Sequence, residues 1–337
     1  MRHLLVFSFF ISFALSLNAQ GNRQPRIMRE FNTDTAMVHD PVMAFENGTY
    51  YLLSTGRRIQ MMTSKNRKTW KFKPFGVMDS IPTWTQTTVP RFRDHVWAPD
   101  IIQWHGKWWL MYSCSTFGKN TSAIGLMTTT SLADPLWKDE GCVVKSKTED
   151  SFNAIDPNIV IDDKDNPWLT FGSFWDGIQL VKLDKTMHIA KKAKPKTIAR
   201  RYGNPMPNLE NPTSKYAGVN AIEAPFIFKH NGWYYLFVSW DYCCRGEKSN
   251  YRVVVGRSKK VKGPYLDREG KDMSKGGGTL FLEGDKKEFE AAGHCSAYHF
   301  EGKDIFVCHG YSVPLHGQSI LIQREMQWTA DGWPYLP

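Results

Sequence analysis

The stretch Val38-His39-Asp40-Pro41-Val42-Met43-Ala44-Phe45-Glu46-Asn47-Gly48-Thr49-Tyr50-Tyr51-Leu52 decides the fold. A short acidic residue opens an apolar run, Asn-Gly supplies the left-handed positions of a tight turn, and an aromatic run climbs back, which is the grammar of a β-hairpin. The same grammar returns four times. Trp97-Ala98-Pro99-Asp100-Ile101-Ile102 turns at His105-Gly106 into Trp108-Trp109-Leu110, and Ile155-Asp156-Pro157-Asn158-Ile159-Val160 turns through 162–166 into Trp168-Leu169. Ile222-Glu223-Ala224-Pro225-Phe226-Ile227-Phe228 turns at Asn231-Gly232 into Tyr234-Tyr235-Leu236, and the weakest copy, Gly293-His294-Cys295-Ser296-Ala297-Tyr298, turns at Glu301-Gly302 into Ile305-Phe306-Val307. The turn positions 48, 106, 166, 232 and 302 lie 58, 60, 66 and 70 residues apart, room for four short strands in each unit. Helical periodicity is nearly absent. The expectation is an all-β chain folded as a five-bladed β-propeller, one domain over residues 20–337.

Composition agrees. The 337 residues include 13 Trp, 13 Tyr and 20 Phe with 23% charged residues, which excludes a wholly disordered chain and a small disulfide-stapled module. The formal charge of +10 suits an acidic partner such as nucleic acid, an anionic membrane or a polyuronide matrix. The basic run Lys191-Lys192-Ala193-Lys194-Pro195-Lys196 has no interleaved aromatics and reads as a solvated face, so no nucleic-acid partner is expected. Residues 1–19 read as a bacterial export signal: Met1-Arg2-His3 is a basic start, 4–17 an apolar run, and Ala19 a small residue at the cut. That run is short for a bilayer span of ~20 residues and no later stretch is long enough. The expectation is a soluble monomer, secreted or periplasmic, with no membrane span. None of the six cysteines forms the Cys-x-x-Cys spacing of a zinc or redox motif, and Cys114 and Cys308 read as small buried hydrophobes. Asn47 and Asn120 lie in glycosylation-type sequons, but Asn47 has a sufficient task in its hairpin turn. Thr63-Ser64-Lys65-Asn66-Arg67-Lys68-Thr69-Trp70 resembles a degenerate Asp-box turn.

In a propeller the first strand of each blade lines the central axis, so the residues that open these strands gather at one mouth of the channel. They read as Asp40, Ala98, Asp156, Glu223 and His294. Three carboxylates and an imidazole in a small enclosed space push each other's pKa values apart, the arrangement acid–base chemistry needs. Around them Trp97, Phe117, Phe174 and Trp175 can offer faces to sugar C–H surfaces, while Asn153, Ser173 and the backbone near Gly118 can hydrogen-bond hydroxyls.

These residues stand in familiar company. Val38-His39-Asp40-Pro41, Trp97-Ala98-Pro99-Asp100, Ser115-Thr116-Phe117-Gly118-Lys119-Asn120, Asn153-Ala154-Ile155-Asp156-Pro157-Asn158, Phe171-Gly172-Ser173-Phe174-Trp175, Asn220-Ala221-Ile222-Glu223-Ala224-Pro225, Cys243-Cys244-Arg245-Gly246 and Gly276-Gly277-Gly278-Thr279 follow one another in order. Together they resemble the endo-α-1,5-L-arabinanases of glycoside hydrolase family 43, over about residues 37–310. The resemblance implies an inverting glycosidase that cleaves internal bonds of arabinan and arabino-oligosaccharides. Asp40 is implied as general base, Glu223 as general acid, and Asp156 as the residue that tunes and orients that acid. Substrate contacts are implied at Asp40, Trp97, Phe117, Gly118, Asn153, Ala154, Ile155, Asp156, Ser173, Phe174 and Trp175. His294 is implied to help hold one metal ion, usually assigned as calcium, within a largely aqueous shell. The chain departs from the pattern at Ala291-Ala292-Gly293-His294-Cys295-Ser296, where a Gly-Pro-Gly-His-Asn-like stretch is expected.

Two other functions compete. An exo-acting α-L-arabinofuranosidase or β-xylosidase would use the same chemistry with one end of the groove closed. A non-catalytic glycan-binding propeller would keep the aromatics, but it has no need of an acid–base pair. A sialidase would need an arginine triad and a tyrosine nucleophile, and no such set stands at the blade starts.

Overall fold

A computed structural model of the chain describes residues 30–203 and 220–337. The export segment read at residues 1–19 lies outside the described residues. The rest forms five antiparallel sheets in chain order, each beginning with one of the five hairpins read from the sequence. The innermost strands of blades I to V are Val42–Glu46, His95–Trp104, Asn158–Ile161, Ile222–His230 and Phe289–Phe300. The Asn47-Gly48, His105-Gly106, Asn231-Gly232 and Glu301-Gly302 turns all adopt paired positive φ, as two-residue hairpins require.

Each blade is apolar on both faces because it is packed between two others, and alternate residues go to opposite neighbours. Tyr51 and Leu53 of blade I pack on blade II with Leu110 and Tyr112, while Tyr50 and Leu52 turn the other way onto Val307 and Leu321 of blade V. One such cluster fills every interface between adjacent blades. The ring closes where residues 36–38 lie antiparallel to Ser319–Leu321 of blade V: Val38 N–H donates to Ser319 O at 3.3 Å and Leu321 N–H to Ala36 O at 3.0 Å. The Ser64–Thr69 turn folds as a side-chain-capped hairpin, Ser64 Oγ and Asn66 Oδ1 accepting local amides, with Trp70 fully buried beneath it. Asn120 is buried and its amide donates to Asp150 O and Phe152 O, so its sequon serves packing.

Polar side chains carry the ring along the axis. Asp100 of blade II accepts Ile159 N–H at 2.7 Å and the Asn158 amide at 3.3 Å, while Asn158 Oδ1 accepts Ile227 N–H of blade IV at 2.9 Å. Burial pushes the Asp100 carboxyl up to about 7 against these hydrogen bonds. Asn158 therefore links three blades through one buried amide. Asn158→Ala should leave Ile227 N–H without its acceptor and cost about 1–3 kcal/mol, read as a lower urea midpoint with an unchanged slope.

Candidate active site

The site is built on a repeated backbone device. Asp40, Ala98, Asp156, Ala224 and His294 all adopt left-handed φ, between 36° and 56°. All five amides donate to a side chain on the preceding blade, four of them at one matching position on, or one residue past, its second strand: Asp40 to His309 Nδ1 (3.1 Å), Ala98 to Thr55 Oγ1 (2.8 Å), Asp156 to Ser113 Oγ (3.0 Å) and His294 to Ser239 Oγ (2.8 Å). Blade III has Gly172 at the matching position, where φ is +123° and an added Cβ would stand 2.7 Å from Gly177 O. Ala224 N–H turns instead to Asp156 Oδ2 at 3.2 Å.

This geometry corrects the alignment read from sequence. The left-handed residue of blade IV is Ala224, and Glu223 precedes it, in the position held by His39, Trp97, Ile155 and Gly293. Glu223 nevertheless reaches the same space, because Asp40, Asp156, Glu223 and His294 all line one cleft of about 640 Å³. Gly293 is dictated by packing: a Cβ there would lie 2.2 Å from the Tyr251 ring.

Asp40 is buried at the centre of a ring of donors. Its Oδ1 lies 2.8 Å from His39 Nδ1 and 2.9 Å from His294 Nδ1, and Oδ2 accepts from Thr55 Oγ1. Burial alone would raise its pKa, but the His294 and His39 cations more than offset that and hold the carboxyl well below the usual range. Burial likewise works against the His294 charge, yet Asp40, then Asp156 and Glu223, draw its pKa up to about 9. His39 is raised for the same reason by Asp40. His309, stacked on His39 with ring centroids 3.9 Å apart, is held neutral by burial and by the His39 charge. Its Nδ1 accepts from Asp40 N–H, so its proton sits on Nε2, which is buried without a partner.

Glu223 and Asp156 are both buried and both shifted upward, burial being the first cause for each. The sequence reading expected Asp156 to raise Glu223 by repulsion. In the structure the repulsion falls the other way: Glu223 helps raise Asp156, while the rise of Glu223 itself comes from burial, and the Asp156 carboxyl fixes the backbone one residue from Glu223. Ser173 lines the cleft, and its Oγ donates to Glu223 Oε2 at 2.7 Å, so it positions this carboxyl and keeps only its acceptor lone pairs for a sugar.

Of the other expected contacts, Trp97, Phe117, Gly118, Asn153, Ile155, Phe174 and Trp175 line the cleft. Phe117 is exposed, Trp97 and Phe174 are half-buried, and Trp175 is buried wall with little free face. Ala154 does not reach the cleft: it is fully buried behind the wall and its N–H donates to Ser146 Oγ at 2.8 Å. The sequence reading assigned no site role to Thr55, His39, His309 or Tyr311, although the first three stand in the hairpin register that the repeat defines.

Among the described residues, two groups bring three possible metal-ligand atoms within 4.8 Å of one another: His39 with Cys243 and Cys244, and His39 with Asp40 and His309. His294 is in neither. Its Nδ1 is given to Asp40, which leaves Nε2 as one ligand, and a hard cation favours six to eight oxygens. The donors present fit a single imidazole ligand to a hydrated ion, the other ring nitrogen held by a carboxylate as metal-bound imidazoles usually are. All six cysteines are free thiols, with Cys114 and Cys308 fully buried as read.

A propeller that concentrates buried carboxyl groups of opposed pKa shift in an aromatic-walled cleft is built for acid–base cleavage of a polyhydroxylated chain. The sequence profile of Glycosyl hydrolases family 43 matches residues 34–334, and the chain belongs to that family and is a glycosidase. It is 43% identical over 309 residues to the extracellular exo-α-(1→5)-L-arabinofuranosidase ArbA of Cellvibrio japonicus, covering 89% of this chain and 86% of the relative. It is 38% identical over 302 residues to the extracellular endo-α-(1→5)-L-arabinanase 1 of Bacillus subtilis, covering 88% and 87%. Among solved structures, an exo-1,5-α-L-arabinanase from a bovine ruminal metagenomic library superposes with a TM-score of 0.84 at 51% identity, covering 91% of this chain and 99% of that one.

Because the Ser173 hydroxyl favours the ionised form of Glu223, Ser173→Ala should raise the Glu223 pKa further. Carboxyl ¹³C NMR of glutamate-labelled protein should follow that titration to higher pH, and a shift downward would contradict the assignment.

Proposed function

We propose that the protein hydrolyses α-1,5-L-arabinofuranosidic bonds of arabinan with inversion, using Asp40 as general base and Glu223 as general acid. The observation that carries this reading is the opposed environment of the two carboxyls: Asp40 is held well below the usual carboxylate range by the neighbouring imidazoles, while burial raises Glu223 above it. The names of the relatives, all arabinan-cleaving, support the substrate.

In this mechanism a water beside Asp40 gives up a proton to the carboxylate and attacks the anomeric carbon, while Glu223 donates its proton to the departing O5 of the next sugar. Asp156 is a positioning residue: it holds Ala224 N–H, beside Glu223. Trp97, Phe117 and Phe174 offer apolar faces to the furanose rings along the cleft. His294 Nε2, its proton released, would be the protein ligand of one hydrated calcium-type ion, which when bound would supply the positive charge the imidazolium otherwise provides. His294 Nδ1–H meanwhile holds Asp40. The extracellular names of two relatives support secretion to the medium or periplasm, where the protein would act as a monomer.

Internal cleavage is the mode the Phe117-Gly118-Lys119-Asn120 and Cys243-Cys244-Arg245-Gly246 motifs support by resemblance. Release from a chain end is the second reading, favoured by the exo names of two relatives at 43% and 51% identity. On linear arabinan, endo action gives mixed oligosaccharides with an early fall in chain length. Exo action gives one short product while chain length barely changes. In either case, proton NMR of the first reducing ends should show the β-anomer, and an initial α-anomer would remove Asp40 from the role of base.

Asp40→Asn and Glu223→Gln should each lower kcat by about 10²–10⁴-fold while oligosaccharide binding by calorimetry persists. Asp156→Asn should also impair turnover. The loss should fall on kcat with oligosaccharide binding kept, because Ala224 N–H, beside Glu223, exchanges a carboxylate acceptor for an amide. Full activity in any of the three variants would strike that residue from the mechanism.

A further inference from the structure

Two side chains of the cleft wall take no part in this mechanism. Cys243 and Cys244 are adjacent in the chain and both line the cleft wall, with Cys244 exposed and Cys243 half-buried against Tyr251 and Tyr311. His39 comes from blade I to meet them: Cys244 Sγ lies 3.7 Å from His39 Nε2, and the two sulfurs and this nitrogen all lie within 4.8 Å of one another. Tyr311 OH touches His39 Nε2 at 3.0 Å and accepts Cys244 N–H at 2.6 Å, which pins the Cys244 backbone over the imidazole. The far nitrogen of His39, Nδ1, is held by Asp40 at 2.8 Å.

We propose that His39, Cys243 and Cys244 form a binding site for a thiophilic divalent cation of the zinc or cadmium class, and that an ion held there switches off hydrolysis. The donor set is soft, two sulfurs and one imidazole nitrogen, and so selects against calcium and magnesium. With metal–sulfur bonds of about 2.3 Å and metal–nitrogen bonds of about 2.0–2.1 Å, a tetrahedral edge between the two atoms is close to the separation seen between Cys244 and His39. The carboxylate on the far side of the imidazole is the partner that orients metal-binding histidines. A fourth position, open to the cleft, is left for water.

Charge balances. The proton on His39 Nε2 and the thiol protons leave to solvent as the dication enters between the sulfurs and the nitrogen, and two thiolates with a neutral imidazole leave the loaded cluster without net charge. The ion would sit one residue from Asp40 and draw on the imidazole that now supports its carboxylate. The inhibition half of the proposal rests on Asp40 being the base, whereas binding does not.

The test uses the full chain, reduced and kept anaerobic, with calcium in excess so that hard sites are filled. Cadmium is then added. One equivalent should bind with an ultraviolet thiolate-to-cadmium charge-transfer band, hydrolysis should fall in step with that band, and a chelator should restore both. Cys244→Ser and Cys243→Ala should each weaken binding at least tenfold and relieve inhibition to the same extent, while Cys142→Ser, a free thiol elsewhere, should change neither. Absence of the band in the wild type, or its persistence in a Cys243→Ala, Cys244→Ser double variant, would overturn the site. A band without inhibition would overturn the switch, and if Asp40→Asn shows that Asp40 is not the base, the optical titration still decides the site.

Discussion

Everything in the cleft depends on one backbone amide per blade. The residue that opens each inner strand is forced into left-handed φ, which turns its N–H backwards into the preceding blade, and a side chain there must receive it. Strain of this kind costs on the order of 1–3 kcal/mol at each non-glycine residue and persists only where surroundings enforce it. Here the same contacts that hold the strain also lock neighbouring blades in register. The carboxyl groups are therefore fixed by the ring itself, with little left to loop conformation.

The charge pattern follows from that fixation. Asp40, Asp156 and Glu223 enter a buried space together, a combination that could not remain fully ionised without cations. His294 and His39 answer only Asp40 at contact distance, so one carboxyl is stabilised as an anion and the other two are left to burial. His309 makes the asymmetry possible by staying neutral, since its acceptor nitrogen takes the Asp40 amide. A third imidazolium stacked on His39 would have repelled the cation that Asp40 needs.

The five hairpins, the propeller and the approach of Asp40, Asp156, Glu223 and His294 were all legible in the sequence, because turn chemistry and period-two burial repeat with the blades. What failed was finer. Counting acidic residues put Glu223 in the opening position, whereas aligning on Asp40-Pro41, Ala98-Pro99, Asp156-Pro157 and Ala224-Pro225 would have placed Ala224 there. Ala154 looked like a sugar contact because it flanks residues that line the cleft. Only the fold shows that Ala154 faces inward and that the Ser173 hydroxyl donates to Glu223. His309 and Thr55 stand in the repeated hairpin register, but the amides they receive belong to the next blade, a relation that register alone does not reveal.

The closing contact of the ring has a kinetic side. Ser319 Oγ donates to Val38 O across 281 positions of chain, and the Ser319–Leu321 strand pairs with residues 36–38 beside it. Each blade can gather its own hairpins locally, but this junction closes a loop of nearly the whole chain and can form only when the last blade exists. Asp40 stands two residues from Val38, and its amide is received by His309 of that same last blade. The mouth of the cleft is thus complete only when both ends of the ring have met.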